Sequence, residues 1–220
     1  MENNAKKELY NCVDWLRNYY FGAPYSGGPV DVLGLCGRIP NVTIYKRHFE
    51  TVGFCGAAIA GIKMNTIILN SARSEIEQNF DCGHELIHLS MHRGQNDGVF
   101  QCFGSNQNTF LEWQANEGAA QLLVPYQDFI PRFADCISVG ETALHGAPAF
   151  FAEHYHVSQQ VINLRIKNLS YEIDQFCCGT RVEDIKLLSR NQLNIRDIHP
   201  TDYLAKCAFA LSWDSVIGWD

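Results

Sequence analysis

Apolar residues recur at helical spacing near the start of the chain. Leu9, Cys12, Val13, Leu16 and Tyr20 fall on one face, which predicts an amphipathic helix over residues 5–20 ending near Gly22. Residues 22–29, rich in glycine and proline, read as a loop, and a short helix over 30–36 follows, stopped at Gly37. The period then changes. Three β-type runs, at residues 42–45, 53–60 and 66–69, are separated by polar or glycine-bearing turns, and their spacing predicts a small antiparallel sheet. Helical spacing resumes after Asn70 or Ser71, either of which would cap a long helix reaching about His92, with Glu75 and Glu77 near the positive end of its dipole. A polar loop over 93–108 leads to a second helix over 109–123, closed by Pro125. Beyond it, residues 149–169 outline a helix, a tight turn and a second helix with Ser158 as N-cap, the outline of a helix-turn-helix. The last fifty residues carry no clear period.

Composition narrows the classes open to such a chain. With 220 residues, 46% of them hydrophobic and 19% charged, it can bury a proper core. Its 17 basic and 24 acidic residues, net −7, argue against a nonspecific phosphate-binding surface. The first residues, Met-Glu-Asn-Asn-Ala-Lys-Lys-Glu, lack the apolar stretch of a signal peptide, and no run reaches bilayer-spanning length. A cytoplasmic protein with no membrane partner is expected. The nine cysteines form no framework spacing and are expected to be mostly buried thiols.

The chemistry concentrates in His84-Glu85-Leu86-Ile87-His88. A four-residue step on a helix rotates by about 400° and rises about 6 Å, so His84 and His88 share a face and can grip one metal ion. Glu85 sits beside it. Such a five-residue pattern arises by chance in about 1–2% of chains of this composition, so its flanks must decide. A catalytic zinc needs three protein ligands and an open position for water. The second helix offers Glu112, in Glu112-Trp-Gln-Ala-Asn116, as the third ligand, and Asn116, one turn on, faces the same way and can orient a ligand histidine. Glu117 is the rival ligand; it points about 140° away from Glu112, so only one of the two can face the histidines, and Glu112 is preferred on this geometry together with the family resemblance below. His92 continues the four-residue series yet lies about 12 Å along the axis from His84, too far for a shared ion, and reads as a cleft or helix-end residue.

With Zn2+ at His84, His88 and Glu112, the implied reaction is peptide hydrolysis by metal-activated water, with Glu85 as general base. An extended substrate would pair with an edge strand, and residues 53–61, carrying Gly56, Ala57, Ala58 and Ala60, are small enough for that approach. Tyr45, Arg93, His154 and Tyr155 are candidate oxyanion donors, and Cys102 is a candidate thiolate for the open metal position.

These residues resemble the ImmA/IrrE family of metallo-endopeptidases. The resemblance is carried by Ile67-Ile-Leu-Asn70, by Phe80-Asp-Cys-Gly-His-Glu-Leu-Ile-His88, and by Glu112-Trp-Gln-Ala-Asn-Glu-Gly-Ala-Ala-Gln-Leu-Leu-Val-Pro125. It implies an α+β, gluzincin-like fold: a zincin-like peptidase lobe over residues 1–130, with a small antiparallel sheet and the motif helix, and a helical, helix-turn-helix-like region over 131–220. It further implies zinc at His84, His88 and Glu112, Glu85 as base, and a regulatory peptidase acting in stress responses or on mobile elements. Its substrate would be a specific protein, such as a helix-turn-helix repressor or antitoxin. Gly83 and Gly118 depart from the family's common alanine and aromatic residue, which points to looser helix packing.

Two other readings compete. One is a DNA-binding regulator with a non-hydrolytic peptidase-like fold, but residues 141–172 offer only Arg165 and Lys167 against Glu141, Glu153 and Glu172, so direct nucleic-acid binding is not expected. The other is a zinc module that captures a protein without cutting it, which would have no use for Glu85.

Overall fold

The structure, a computed structural model, describes residues 5–21, 25–103 and 110–214. The chain folds as two compact units, Leu9–Leu123 and Met1–Glu8 with Val124–Asp220.

The first unit is built from α1 (Ala5–Phe21, from Leu9 on), α2 (Val32–Cys36), β1 (Val42–Arg47), β2 (Phe54–Ile59), β3 (Asn65–Asn70), α3 (Glu75–Met91), β4 (Val99–Phe103) and α4 (Phe110–Leu123). The opening helix and the two long motif-bearing helices match their predicted spans closely; Gly22, Thr109 and residues 104–108 lie outside the described residues. The strand order is β1-β3-β2-β4. β2 runs antiparallel to β3 and to β4, but β1 runs parallel to β3, with Ile44 opposite Ile67. The sheet is therefore mixed, not antiparallel throughout. The β2–β3 hairpin folds back so that β3 lies against β1, and a chain that has reversed twice returns parallel.

Two further expectations change with this topology. β4 falls within the predicted polar loop over 93–108; Val99-Phe-Gln-Cys-Phe103 is largely apolar, but only Phe100 is buried, and so short a run set between polar stretches reads as part of the loop. Its presence makes β2 an interior strand, so residues 53–61 do not form the open edge expected of them. The edges are β1 and β4.

α3 starts at Ser74 rather than at Asn70 or Ser71. Ser74 accepts from Glu77 N, and the Glu77 carboxylate accepts from Ser74 N, a reciprocal capping box that satisfies two end groups. Asn70 instead closes β3: its side chain accepts from Phe49 N and Ala72 N and donates to Phe54 O. α3 and α4 pack closely, and the expectation of looser packing at Gly83 and Gly118 does not hold. A Cβ on Gly83 would lie 3.3 Å from Ala119 Cβ, and one on Gly118 would lie 2.8 Å from Ile87 Cγ1, so missing side chains are what let the helices approach. α1 braces α4 from behind. Tyr10 donates to the Glu117 carboxylate, and Arg17 Nη2 donates to Gln121 O at 2.6 Å, meeting a helix-end carbonyl with a cation.

The second unit is helical: α5 (Tyr126–Val139), α6 (Glu141–Tyr155), α7 (Gln159–Asn168), α8 (Ser170–Cys177), α9 (Arg190–Ile195) and α10 (Tyr203–Asp214). α6 begins eight residues before the outline read from sequence; His156 turns the chain at φ 52°, and Ser158 caps α7 by accepting from Val161 N. Phe129, Phe133, Phe151 and Tyr155 form an aromatic core. Lys6 and Glu172, both buried, pair at 2.7 Å, with Asn168 O and Leu188 N completing the cluster. No helix among the described residues is long and apolar enough to cross a membrane.

Candidate metal centre

The three predicted ligands meet. His84 and His88 stand one turn apart on α3, and α4 carries Glu112 to them. His84 Nε2 lies 3.1 Å from His88 Nε2 and 3.2 Å from Glu112 Oε2, and His88 Nε2 lies 3.4 Å from Glu112 Oε1. Tetrahedral ligands about 2.0–2.1 Å from a zinc ion stand about 3.3 Å from one another, so the three donors already have the spacing of one face of such a site. Two imidazole nitrogens and a carboxylate oxygen are a donor set that zinc accepts. All three side chains are nearly buried.

Burial pushes the Glu112 carboxyl up, but its contacts with the His84 and His88 rings outweigh that together and hold the group down at about 2. Burial also lowers the His88 and His92 pKa, against hydrogen bonding to Glu112 and Gln114 respectively. Both histidines are thereby kept in the neutral form that a metal ligand and its partner require.

Asn116 takes the place expected of it: its Oδ1 lies 3.0 Å from His84 Nδ1, and an amide oxygen can only accept there, so Nδ1 carries the proton and Nε2 offers its lone pair to the centre. Glu117, the rival ligand, turns away to Tyr10. Phe100 stacks on the His88 ring with centroids 4.5 Å apart and planes 17° from parallel. That contact depends on β4, a strand that the reading of residues 93–108 as a loop does not include.

Glu85 is fully buried, and neither carboxylate oxygen has a hydrogen-bond partner among the described residues. Desolvation, then the Glu112 charge, raises its pKa well above the carboxylate range. Gly56 on β2 makes room for it: a Cβ there would lie 2.8 Å from Ile68 O and 3.4 Å from Glu85 Oε1. A buried carboxyl with no hydrogen-bond partner among the described residues, beside three convergent donors, has the surroundings of a hydrolytic base.

Cys102 stands on β4, where a thiol sulfur, a His84 nitrogen and a Glu85 oxygen fall within 4.8 Å of one another. Its thiol shares a hydrogen bond with Cys55, and that bond, burial and the Glu85 charge all oppose its ionisation. Cys82 is fully buried on α3 with its sulfur 3.4 Å from that of Cys36, the packed thiol expected of it. Of the candidate oxyanion donors, Tyr45 is half-exposed on β1, Arg93 donates to Gly61 O, Tyr155 donates to Asp128 within the helical unit and His154 stacks on Phe150.

Residues 38–167, well over half of the chain and including every residue of this centre, match the family model Peptidase_M78, described as the IrrE N-terminal-like domain. No curated protein matches the chain.

Proposed function

The chain belongs to the ImmA/IrrE metallopeptidase family, and on that premise we propose that it is a zinc-dependent endopeptidase that cuts one or a few specific regulatory proteins. The observation that carries this reading is Glu85, buried without a partner beside His84, His88 and Glu112. Desolvating a carboxylate costs several kcal/mol unless something compensates it, so its retention here fits a working group. A zinc ion held by His84, His88 and Glu112 would polarise the scissile carbonyl and acidify the attacking water. Glu85, beside that centre, would be the group to accept the water's proton and hand it to the leaving amine. Asn116 keeps His84 oriented, and Phe100 holds the His88 ring. The open edge of β4, next to Phe100, supports pairing with an extended substrate.

A helix-turn-helix repressor or antitoxin in the cytoplasm is the proposed target, on the strength of the family resemblance. A DNA-binding role has little surface to rest on, since Arg165 is buried and Lys167 is then the only solvent-facing Lys or Arg between residues 141 and 172. The test incubates the zinc-loaded chain with the regulator encoded beside it and reads products by intact mass. Wild type should cut, and Glu85→Gln should lose about 10²-fold or more in rate while keeping its zinc. Cleavage that persists in Glu85→Gln would overturn the assignment, as would a wild-type chain that binds its partner without cutting it.

A further inference from the structure

The histidine chain does not end at the ligands. His92, at the C-cap of α3 and 1% exposed, places Nδ1 2.9 Å from His88 Nδ1 and Nε2 3.1 Å from Gln114 Oε1. Gln114 is itself buried, on α4 two residues after Glu112. Phe100 lies against both rings, its centroid 6.1 Å from that of His92.

Two ring nitrogens in hydrogen-bond contact need one donor and one acceptor, and the network decides which is which. With an ion held by His84, His88 and Glu112, His88 Nε2 would be the ligating atom, since it is the one that faces His84 Nε2 and Glu112; it would keep its lone pair and leave the proton on Nδ1. His92 Nδ1 must then accept, which puts the His92 proton on Nε2, where it donates to the Gln114 amide oxygen. Every group in the chain from Gln114 to His88 is satisfied by this single arrangement.

We propose that His92 is a positioning residue for the metal centre: held by Gln114, it accepts the His88 Nδ1 proton and so fixes the ring and tautomer that present His88 Nε2 to the ion. The inference rests on the metal-centre reading above and deepens it. Asn116 does the same for His84, so each ligand histidine has its own outer partner, one an amide and the other a histidine backed by an amide. α4 supplies Glu112, Gln114 and Asn116, and thereby sets the third ligand and both outer supports from one rigid element.

Zinc affinity of the purified full chain, measured by competition with a chromophoric chelator, tests this without an activity assay. His92→Phe keeps a ring of similar size but has no acceptor, and should bind zinc about 10–100-fold more weakly. His92→Asn places a carboxamide oxygen where Nδ1 stood and should recover most of that loss. Phe and Asn variants that bind equally, whether both tightly or both weakly, would overturn the proposal, because packing alone would then account for His92. Nitrogen-15 histidine shifts of the zinc-loaded wild type supply a measurement that needs no variant: His92 should be protonated at Nε2 alone, and a proton on its Nδ1 would refute the arrangement. Wild-type protein that takes up no zinc would remove the metal centre itself, a failure distinct from wild type binding and His92→Phe binding as well.

Discussion

Replacing Gly118 by alanine sets two opposed effects against each other at the α3–α4 contact. Alanine in a helix interior is favoured over glycine by about 1 kcal/mol. Its Cβ, however, would stand 2.8 and 2.9 Å from Ile87 Cγ1 and Cδ1 and 3.1 Å from Leu9 Cδ1, where ordinary carbon contacts need about 3.5–4.0 Å. Ile87 and Leu9 are both fully buried, and Ile87 is stiff at χ1, so neither side chain has free space to yield into. Overpacking of this kind costs about 1–3 kcal/mol, so the steric effect wins, and the net loss should be about 1 kcal/mol, or about 2–4 °C in Tm for a chain of this size. Gly83→Ala is the internal control. Its Cβ would lie 3.3 Å from Ala119 Cβ, a few tenths of an ångström too close, and at an ordinary 3.8 Å from Leu122 Cδ2, so the helix-propensity gain should leave that variant neutral or slightly more stable. Unfolded-state effects are the same for both substitutions and cancel in the comparison. Urea unfolding at constant m reads the difference. A Gly118→Ala protein as stable as Gly83→Ala would refute the argument that close helix approach fixes glycine at 118.

Two other outcomes follow from the geometry. Lys6→Met leaves Glu172 buried without its cation and should cost about 3–5 kcal/mol near neutral pH. Burial already raises the Glu172 pKa and Lys6 offsets part of that, so without Lys6 the folded state holds its proton to higher pH. A carboxyl whose folded pKa is raised favours folding below its unfolded value and loses that advantage as pH rises. The Lys6→Met deficit should therefore grow from about pH 4 to about pH 7, and a pH-independent deficit would contradict the reading. Free zinc at about a hundred times its dissociation constant should stabilise the wild type by about 2.7 kcal/mol, reversibly with chelator. His88→Ala should not respond, and an equal thermal shift in both proteins would remove the assigned ligand set.

Legibility differs sharply between the site and the fold. The pairing of His84 with His88 and the support from Asn116 follow from helical periodicity, which fixes where side chains point once the helix is granted, while the choice of Glu112 over Glu117 leans on the family resemblance as well. The sheet does not follow in the same way. Strand runs announce themselves by composition, but their order depends on which hairpin folds against which strand, and no local pattern encodes that. β4 is hidden by its shortness between two polar stretches, and the contact of Phe100 with His88 is hidden with it. The start of α3 reads early because Asn70 is as good a cap as Ser74 on residue type alone; Glu77, three residues after Ser74, completes the signature that tells them apart. His92 fails as a ligand on distance, and the same four-residue step that carries it away from the ion sets its ring beside that of His88.

The brace that α1 lays along α4 bears on where this protein can be cut. The family match begins at residue 38, yet the physical body begins at Leu9, since Leu9, Tyr10, Val13 and Leu16 are all within 3% of full burial. A fragment excised at the homology boundary would strand the Glu117 carboxylate in an apolar interior and strip the cation from the last carbonyls of the helix that carries Glu112. The portion that defines kinship and the portion that folds are different lengths of chain, and the catalytic helix depends on the longer one.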